Sequence, residues 1–250
     1  MSGLATHVRP DRAAAGRAAG LAVAELLRRL LAEQPTVRVA FAAAPSQDDM
    51  LATLSTVDGL DWSRVEAFQL DDYAGLAVTH PGTFASYLRA HLFDAVRPGQ
   101  VRLMAPGDDP AGAAARYADL LAAAPLDLVC LGIGENGHLA FNDPPDADRD
   151  DPQPVRVVRL DPRSRQQQVN DGCFATLAEV PTTAVTLTLP TLLAARHLVC
   201  VVPGERKRAA VRAALSGPIG PDSPASYLRT HPAAALYLDT AAAGEPACSV

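Results

Sequence analysis

An apolar run that opens directly into a glycine-rich turn constrains this chain more than any other stretch. Leu126 to Pro145 reads LDLVCLGIGENGHLAFNDPP. Its first part, Leu126–Ile133, is apolar and bounded by glycine, which fits a strand buried on both faces of a parallel sheet. Gly134 and Gly137 then open backbone conformations closed to other residues. The turn is expected to deliver Glu135, Asn136, His138 and Asp143 to the carboxyl edge of the sheet, where open α/β folds bind ligands.

The rest of the chain alternates strands with helices around that run. Residues 1–9 read as a loose tail, and Asp11 to Leu31 as a long Ala/Leu-rich helix with Asp11 as N-cap. Strands are expected at Thr36–Ala42, Arg64–Leu70, Val101–Met104, Val155–Leu160, Ala184–Leu189, His197–Val202 and Ala234–Asp239. Helical patterns fall between them, at Thr83–Asp94, Pro110–Ala124 and Glu205–Leu215. This alternation implies a single α/β domain, a three-layer αβα sandwich with a mostly parallel, Rossmann-like sheet.

Composition narrows the partners. With 250 residues and 48% hydrophobic content the chain can bury a full core. A net charge of −6 and no basic patch argue against nucleic acid, so small molecules are the expected partners. No run of eighteen apolar residues and no signal-peptide core are present, so no membrane association and a cytoplasmic location are expected. Cys130, Cys173, Cys200 and Cys248 lack zinc spacing and read as thiols in a reducing compartment.

Four motifs carry chemistry. Gly132 to Gly137 matches the G-x-G-x-x-G dinucleotide pattern, with Asp161 at the usual distance for a ribose acid. That reading requires a helix leaving the turn, and Asn142-Asp143-Pro144-Pro145 stops one. Asn136, His138 and Asp143 instead share one hinged loop, as expected where an imidazole is oriented for proton transfer. Asp71 and Asp72 end a strand and must point to opposite sides, so one can face a cleft while the other caps or faces solvent. Ala43-Ala44-Pro45-Ser46 leads from the first strand into a helix, a natural anion site, although Asp48 and Asp49 already occupy its positive end. Lys207, the one lysine in the chain, falls in the first turn of another helix. A cation there opposes the helix dipole and is best explained by an anionic ligand. His80 and His231 each precede proline and read as loop or structural residues.

The sequence Leu70-Asp71-Asp72-Tyr73-Ala74-Gly75-Leu76 combined with Gly-His138-Leu-Ala-Phe-Asn142-Asp143-Pro144 resembles the glucosamine-6-phosphate deaminase family. The resemblance runs from about Val37 to Asp239. It implies aldose-to-ketose isomerisation with loss of ammonia from an amino sugar 6-phosphate, and no metal or organic cofactor. It also implies that His138 assists ring opening, that Asp71 moves a proton between C2 and C1, and that Lys207 contacts the phosphate. Asn136 and Asp143 join the expected catalytic set, and Ala43, Ala44, Ser46, Asp72 and Gly137 the substrate-binding set. Three departures are visible. Asn136 stands where the family has aspartate, Asp143 where it has glutamate, and the phosphate loop has lost its glycines. No arginine matches the family's phosphate-binding one, which leaves Arg163 or Arg165 as candidates. Glu135 or Asp143 is the candidate to supply the charge that Asn136 lacks. Oligomers are common in such families, so a homo-oligomer is a further expectation, with no interface patch readable. The sister 6-phosphogluconolactonases share the Val185–Pro190 and Pro203–Lys207 segments and supply the alternative reading, alongside a catalytically weak sugar-phosphate-binding protein.

Overall fold

Alternate residues of single strands enter opposite apolar clusters. In the computed structural model, which describes residues 4–244, Val37, Val39 and Phe41 join one cluster and Ala40 the other. Cys130 and its neighbours Val129 and Leu131 divide in the same way. A strand covered by helices on both faces requires this, and Leu126–Ile133 therefore reads as an unbroken apolar run.

The strands are β1 (Ala5–Arg9), β2 (Val37–Phe41), β3 (Val65–Gln69), β4 (Asp71–Tyr73), β5 (Gln100–Arg102), β6 (Leu128–Leu131), β7 (Val155–Arg159), β8 (Thr183–Leu187), β9 (His197–Val202) and β10 (Ala234–Asp239). Seven form one parallel sheet in the order β1-β10-β9-β6-β2-β3-β5. The other three form an antiparallel sheet, β4-β8-β7. Helix Arg12–Glu33 buries Val23 and Leu27 in the first cluster. Helices Pro110–Ala122 and Arg208–Ser216 bury Tyr117 and Val211 in the second. The αβα layering with a mostly parallel sheet is thus observed.

One expectation is overturned. Residues 5–9 are not a loose tail but pair in parallel with β10, from Ala5 opposite Ala235 to Arg9 opposite Asp239. This edge strand is half exposed. It is held by backbone hydrogen bonds, and its side chains carry no apolar pattern to announce it. Cys130 and Cys200 are buried free thiols and Cys173 is half-buried; Cys248 lies outside the described residues. Among the described residues no helix is long and apolar enough to cross a membrane.

The long first helix docks closely on helix Asp48–Thr56. A Cβ on Gly16 would lie 2.3 Å from Asp49 Cβ, and one on Gly20 2.6 Å from Thr53 Cβ. Only glycine permits this approach. Gly20→Val is therefore expected to lower stability by about 1–3 kcal/mol through overpacking, measured by urea denaturation.

Candidate active site

The ends of β2, β3, β6 and β9 meet at the carboxyl edge of the parallel sheet and form a small, solvent-open cleft. Ala43, Ala44 and Ser46 line it from the loop after β2, Asp71 from the start of β4 just beyond β3, His138 from the loop after β6, and Lys207 from the turn after β9. Six of the residues expected from the sequence are thereby brought together.

Asp71 and Asp72 separate as the strand alternation requires. Asp72 turns away from the cleft. Its carboxylate accepts hydrogen bonds from Tyr73, Phe84 and Ala85 N at 2.8, 2.9 and 3.0 Å, and from Gln69 Nε2 at 3.0 Å. Asp72 is thus a helix cap and not the substrate-binding residue that was expected, because the N–H groups of helix Phe84–Leu88 need an acceptor. Asp71 faces the cleft and makes neither a hydrogen bond nor an ion pair among the described residues. Burial, reinforced by the negative charges of Asp72 and Asp143, raises its carboxyl well above the usual carboxylate range.

The histidine loop is fixed from two sides. Gly134 N donates to His138 O at 3.0 Å, and a Cβ on Gly134 would lie 2.2 Å from His138 Cε1, so this glycine makes room for the ring. Strand β8 holds the far side: Phe141 N donates to Thr186 Oγ1 at 3.1 Å and Asn142 Nδ2 to Leu187 O at 2.9 Å. Between them Ala140 adopts a left-handed φ of 48°, a strained conformation for alanine that these bonds enforce. No helix leaves the turn, so the dinucleotide motif lacks its required context. Asp161 instead caps helix Pro162–Asn170, accepting from Arg163 N at 2.7 Å.

His138 Nδ1 lies 2.9 Å from Asp143 Oδ1 and 2.9 Å from Ser164 Oγ. Asn136 Nδ2 donates to the same Asp143 oxygen at 2.9 Å, and Asn136 Oδ1 accepts from His138 N at 3.2 Å. Ser164 also bonds Asp143 Oδ1. Burial pushes the Asp143 carboxyl up, but hydrogen bonding and charge from His138, with bonds from Asn136 and Ser164, outweigh it and hold the group at about 2. An ionised carboxylate only accepts, so neutral His138 carries its proton on Nδ1 and presents a bare Nε2. Asn136 and Asp143 therefore act through His138 and do not themselves line the cleft. Of the two candidate carboxylates Asp143 is the one in contact with His138, whereas Glu135 faces Arg206 at 3.4 Å. Gly137 does not line the cleft either. Its φ of 91° and its carbonyl, which accepts from Ala225 N at 2.9 Å, make it a structural turn residue.

Lys207 sits at the N-cap of helix Arg208–Ser216 and is buried, yet its ammonium makes no hydrogen bond or salt bridge among the described residues. Burial lowers it to about 8, against the pull of Asp171 and Glu135. Asp48 and Asp49, which seemed to oppose an anion, are neutralised by Arg12 at 3.5 and 3.0 Å. Arg165 is spent on the carbonyls of Leu177, Val180 and Pro181, and neither it nor Arg163 lines the cleft. Amides occupy that wall instead: Gln47, Gln167 and Gln168. Gln47 is fully buried, donates through Nε2 to Val201 O at 3.1 Å, and leaves Oε1 without a partner. Gln47 and Ser164 were not among the residues expected from the sequence. Ser164, Gln167 and Gln168 recur at i, i+3 and i+4, the spacing of one helix face, and that was the available signal.

Known proteins match this arrangement. A family model described as glucosamine-6-phosphate isomerases/6-phosphogluconolactonase matches residues 10–237. A protein of Exiguobacterium sp. (strain AT1b) named glucosamine-6-phosphate deaminase is 40% identical over 195 residues, covering 77% of this chain and 74% of that protein. One of the same name from Streptomyces avermitilis is 34% identical over 238 residues, covering 92% and 89%. A solved structure described as a monomeric glucosamine-6-phosphate deaminase superposes with a TM-score of 0.88 at 25% identity, covering 96% and 99%. The 6-phosphogluconolactonase of Trypanosoma brucei, at 19% identity, 96% and 97% coverage and a TM-score of 0.78, shares the fold.

The burial of Asp71 has a thermodynamic sign. Its proton is held more tightly in the folded than in the unfolded chain, so stability falls as pH rises from about 4 through the raised native value. At pH 7 Asp71→Asn removes that cost. A rise in Tm of about 2–4 °C, corresponding to about 1 kcal/mol in a chain of this size, is expected by calorimetry; an unchanged or lower Tm contradicts it.

Proposed function

The chain belongs to the glucosamine-6-phosphate isomerase/6-phosphogluconolactonase family, and we propose that it converts glucosamine 6-phosphate, or a closely related amino sugar phosphate, to fructose 6-phosphate and ammonia. One observation carries this reading: a buried cation, Lys207, and a buried carboxylate, Asp71, share a cleft, each unpaired among the described residues, beside a histidine with a fixed tautomer. Unpaired buried charges are costly. A ligand with an anionic end and a basic or acidic carbon centre relieves both.

In this reading Lys207 meets the phosphate, with Ser46, Gln168 and the amides of the Ala43–Ser46 loop as neutral donors. One cation and several amides then replace a guanidinium clamp. His138 Nε2 takes the proton of the anomeric hydroxyl and returns it to the ring oxygen, opening the sugar. Its Nδ1–H stays on Asp143, which stabilises the transient imidazolium. Ionised Asp71 removes the C2 proton and delivers it to C1. The C2–N bond becomes an iminium as the C1 carbonyl is reduced to CH2OH, its oxygen taking the proton that the substrate's ammonium gives up, and water then adds at C2 and expels ammonia. The substrate's amine and carbonyl carry the electrons throughout. The structural relative is described as monomeric, and the proposed site draws its residues from within one chain; self-association stays a proposal from family habit.

Incubation with glucosamine 6-phosphate should release ammonia and fructose 6-phosphate in equal amounts, and His138→Ala should lower kcat by about 10²–10⁴-fold. Asp71→Asn should abolish turnover while substrate still binds. Release from 6-phosphogluconolactone but not from the amino sugar would overturn the assignment in favour of the lactonase chemistry.

The pH profile of kcat/KM is expected to be bell-shaped. Its acid limb lies above the ordinary carboxylate range, because Asp71 must ionise, and its alkaline limb lies near 8, where Lys207 loses its proton. Lys207→Arg, which stays charged, should move the alkaline limb upward; a limb still at 8 in that variant rules Lys207 out as its source.

A further inference from the structure

Ser164 is 1% exposed and stands in the first turn of helix Pro162–Asn170. Its hydroxyl meets three groups: His138 Nδ1 at 2.9 Å, Asn136 Nδ2 at 3.4 Å and Asp143 Oδ1 in a short hydrogen bond. A hydroxyl has one proton and two lone pairs. Asp143, held ionised, can only accept and so takes the proton. The Asn136 amide donates to one lone pair, and the Nδ1–H of His138, 2.9 Å from both Asp143 Oδ1 and Ser164 Oγ, is shared between that carboxylate and the other lone pair. Every valence of the hydroxyl is used once, and in one arrangement.

That arrangement does two things. It forbids Ser164 from donating to Nδ1, which closes off the tautomer with the proton on Nε2. It also pins the Asp143 oxygen from a second element, the helix, whose own first turn supports the carboxylate through Asp161 N, 3.4 Å from Asp143 Oδ2. Asn136 and Asp143 lie in the same loop as His138, whose backbone is held by β8 and by Glu135 N on Gln167 Oε1 at 2.9 Å, and Ser164 is the side chain that fixes His138 and Asp143 relative to each other from outside that loop. Ser164 ties that loop to the helix that also carries Gln167 and Gln168.

We propose that Ser164 is a positioning residue: it couples Asp143 to His138 and sets the imidazole plane for proton transfer, so that one carboxylate and two neutral side chains hold the ring. This deepens the deaminase reading and rests on it.

The expected result for Ser164→Ala is a kcat lower by about 10–100-fold, the usual loss when a group orienting a functional histidine is removed, with KM changed less than about twofold. Ser164→Thr, which keeps the hydroxyl, restores most of the rate. Ser164→Cys, which keeps the volume and is only a weak donor, behaves like alanine and guards against a mere packing effect. Because Ser164 acts through Asp143, the double variant Ser164→Ala/Asp143→Asn should be no slower than Asp143→Asn alone. Independent, multiplying losses overturn the proposal, as does a raised KM with kcat intact, which would make Ser164 a substrate contact. A second readout needs no turnover. The His138 Nδ1–H proton should give a protected downfield NMR resonance in the wild type that is lost or exchange-broadened in Ser164→Ala, and an unchanged resonance overturns the coupling. Absence of ammonia release by the wild type defeats the deaminase reading alone, since the resonance still tests the Ser164 network.

Discussion

The antiparallel pairing of β8 with β4 is the constraint on which the site depends. Asp71 is paired with Thr186 across this ladder, and Leu187 N donates to Leu70 O at 2.8 Å. The same two β8 residues reach the histidine loop, Thr186 through its hydroxyl to Phe141 N and Leu187 through its carbonyl to Asn142. Two segments about seventy residues apart in the chain are thereby held to one short strand. Proton transfer is steeply sensitive to distance, and a scaffold that references both reacting groups to one backbone serves it better than two independent loops.

The parallel sheet was legible in the sequence because its strands are buried on both faces and its helices carry caps such as Asp11. The core-strand signal is compositional and local. β1 escaped notice for the opposite reason: at an exposed edge only the backbone is asked to pair. Asp71, His138 and Lys207 were legible because each violates a local preference, an acid, an imidazole or a cation set against burial or dipole. Asp72 shows the limit of such reasoning. The alternation put the two acids on opposite sides but could not tell a capping role from solvent exposure, since the helix that Asp72 caps begins twelve residues later. Ser164 was hidden because a neutral polar residue on a helix reads as solvated surface, and only the tertiary packing turns that face inward.

The departures from the family pattern form a consistent set. Where Asn136 removes a charge, Asp143 is held ionised by three donors and faces His138 directly. Where the loop after β2 has lost its glycines, Ala43 and Ala44 still line the cleft, and Gln47 reaches from the next turn to the end of β9. Amides stand in the cleft wall, and Asp71, His138 and Lys207 still face one cleft.

The unpaired state of Lys207 and Asp71 links the cleft to the folding equilibrium of the whole chain. Charges that the protein leaves uncompensated are most nearly satisfied when a ligand occupies the site, and a ligand that binds only the folded form draws the population toward it by mass action. A rising concentration of sugar phosphate then raises the apparent stability of the fold as well as the rate of the reaction.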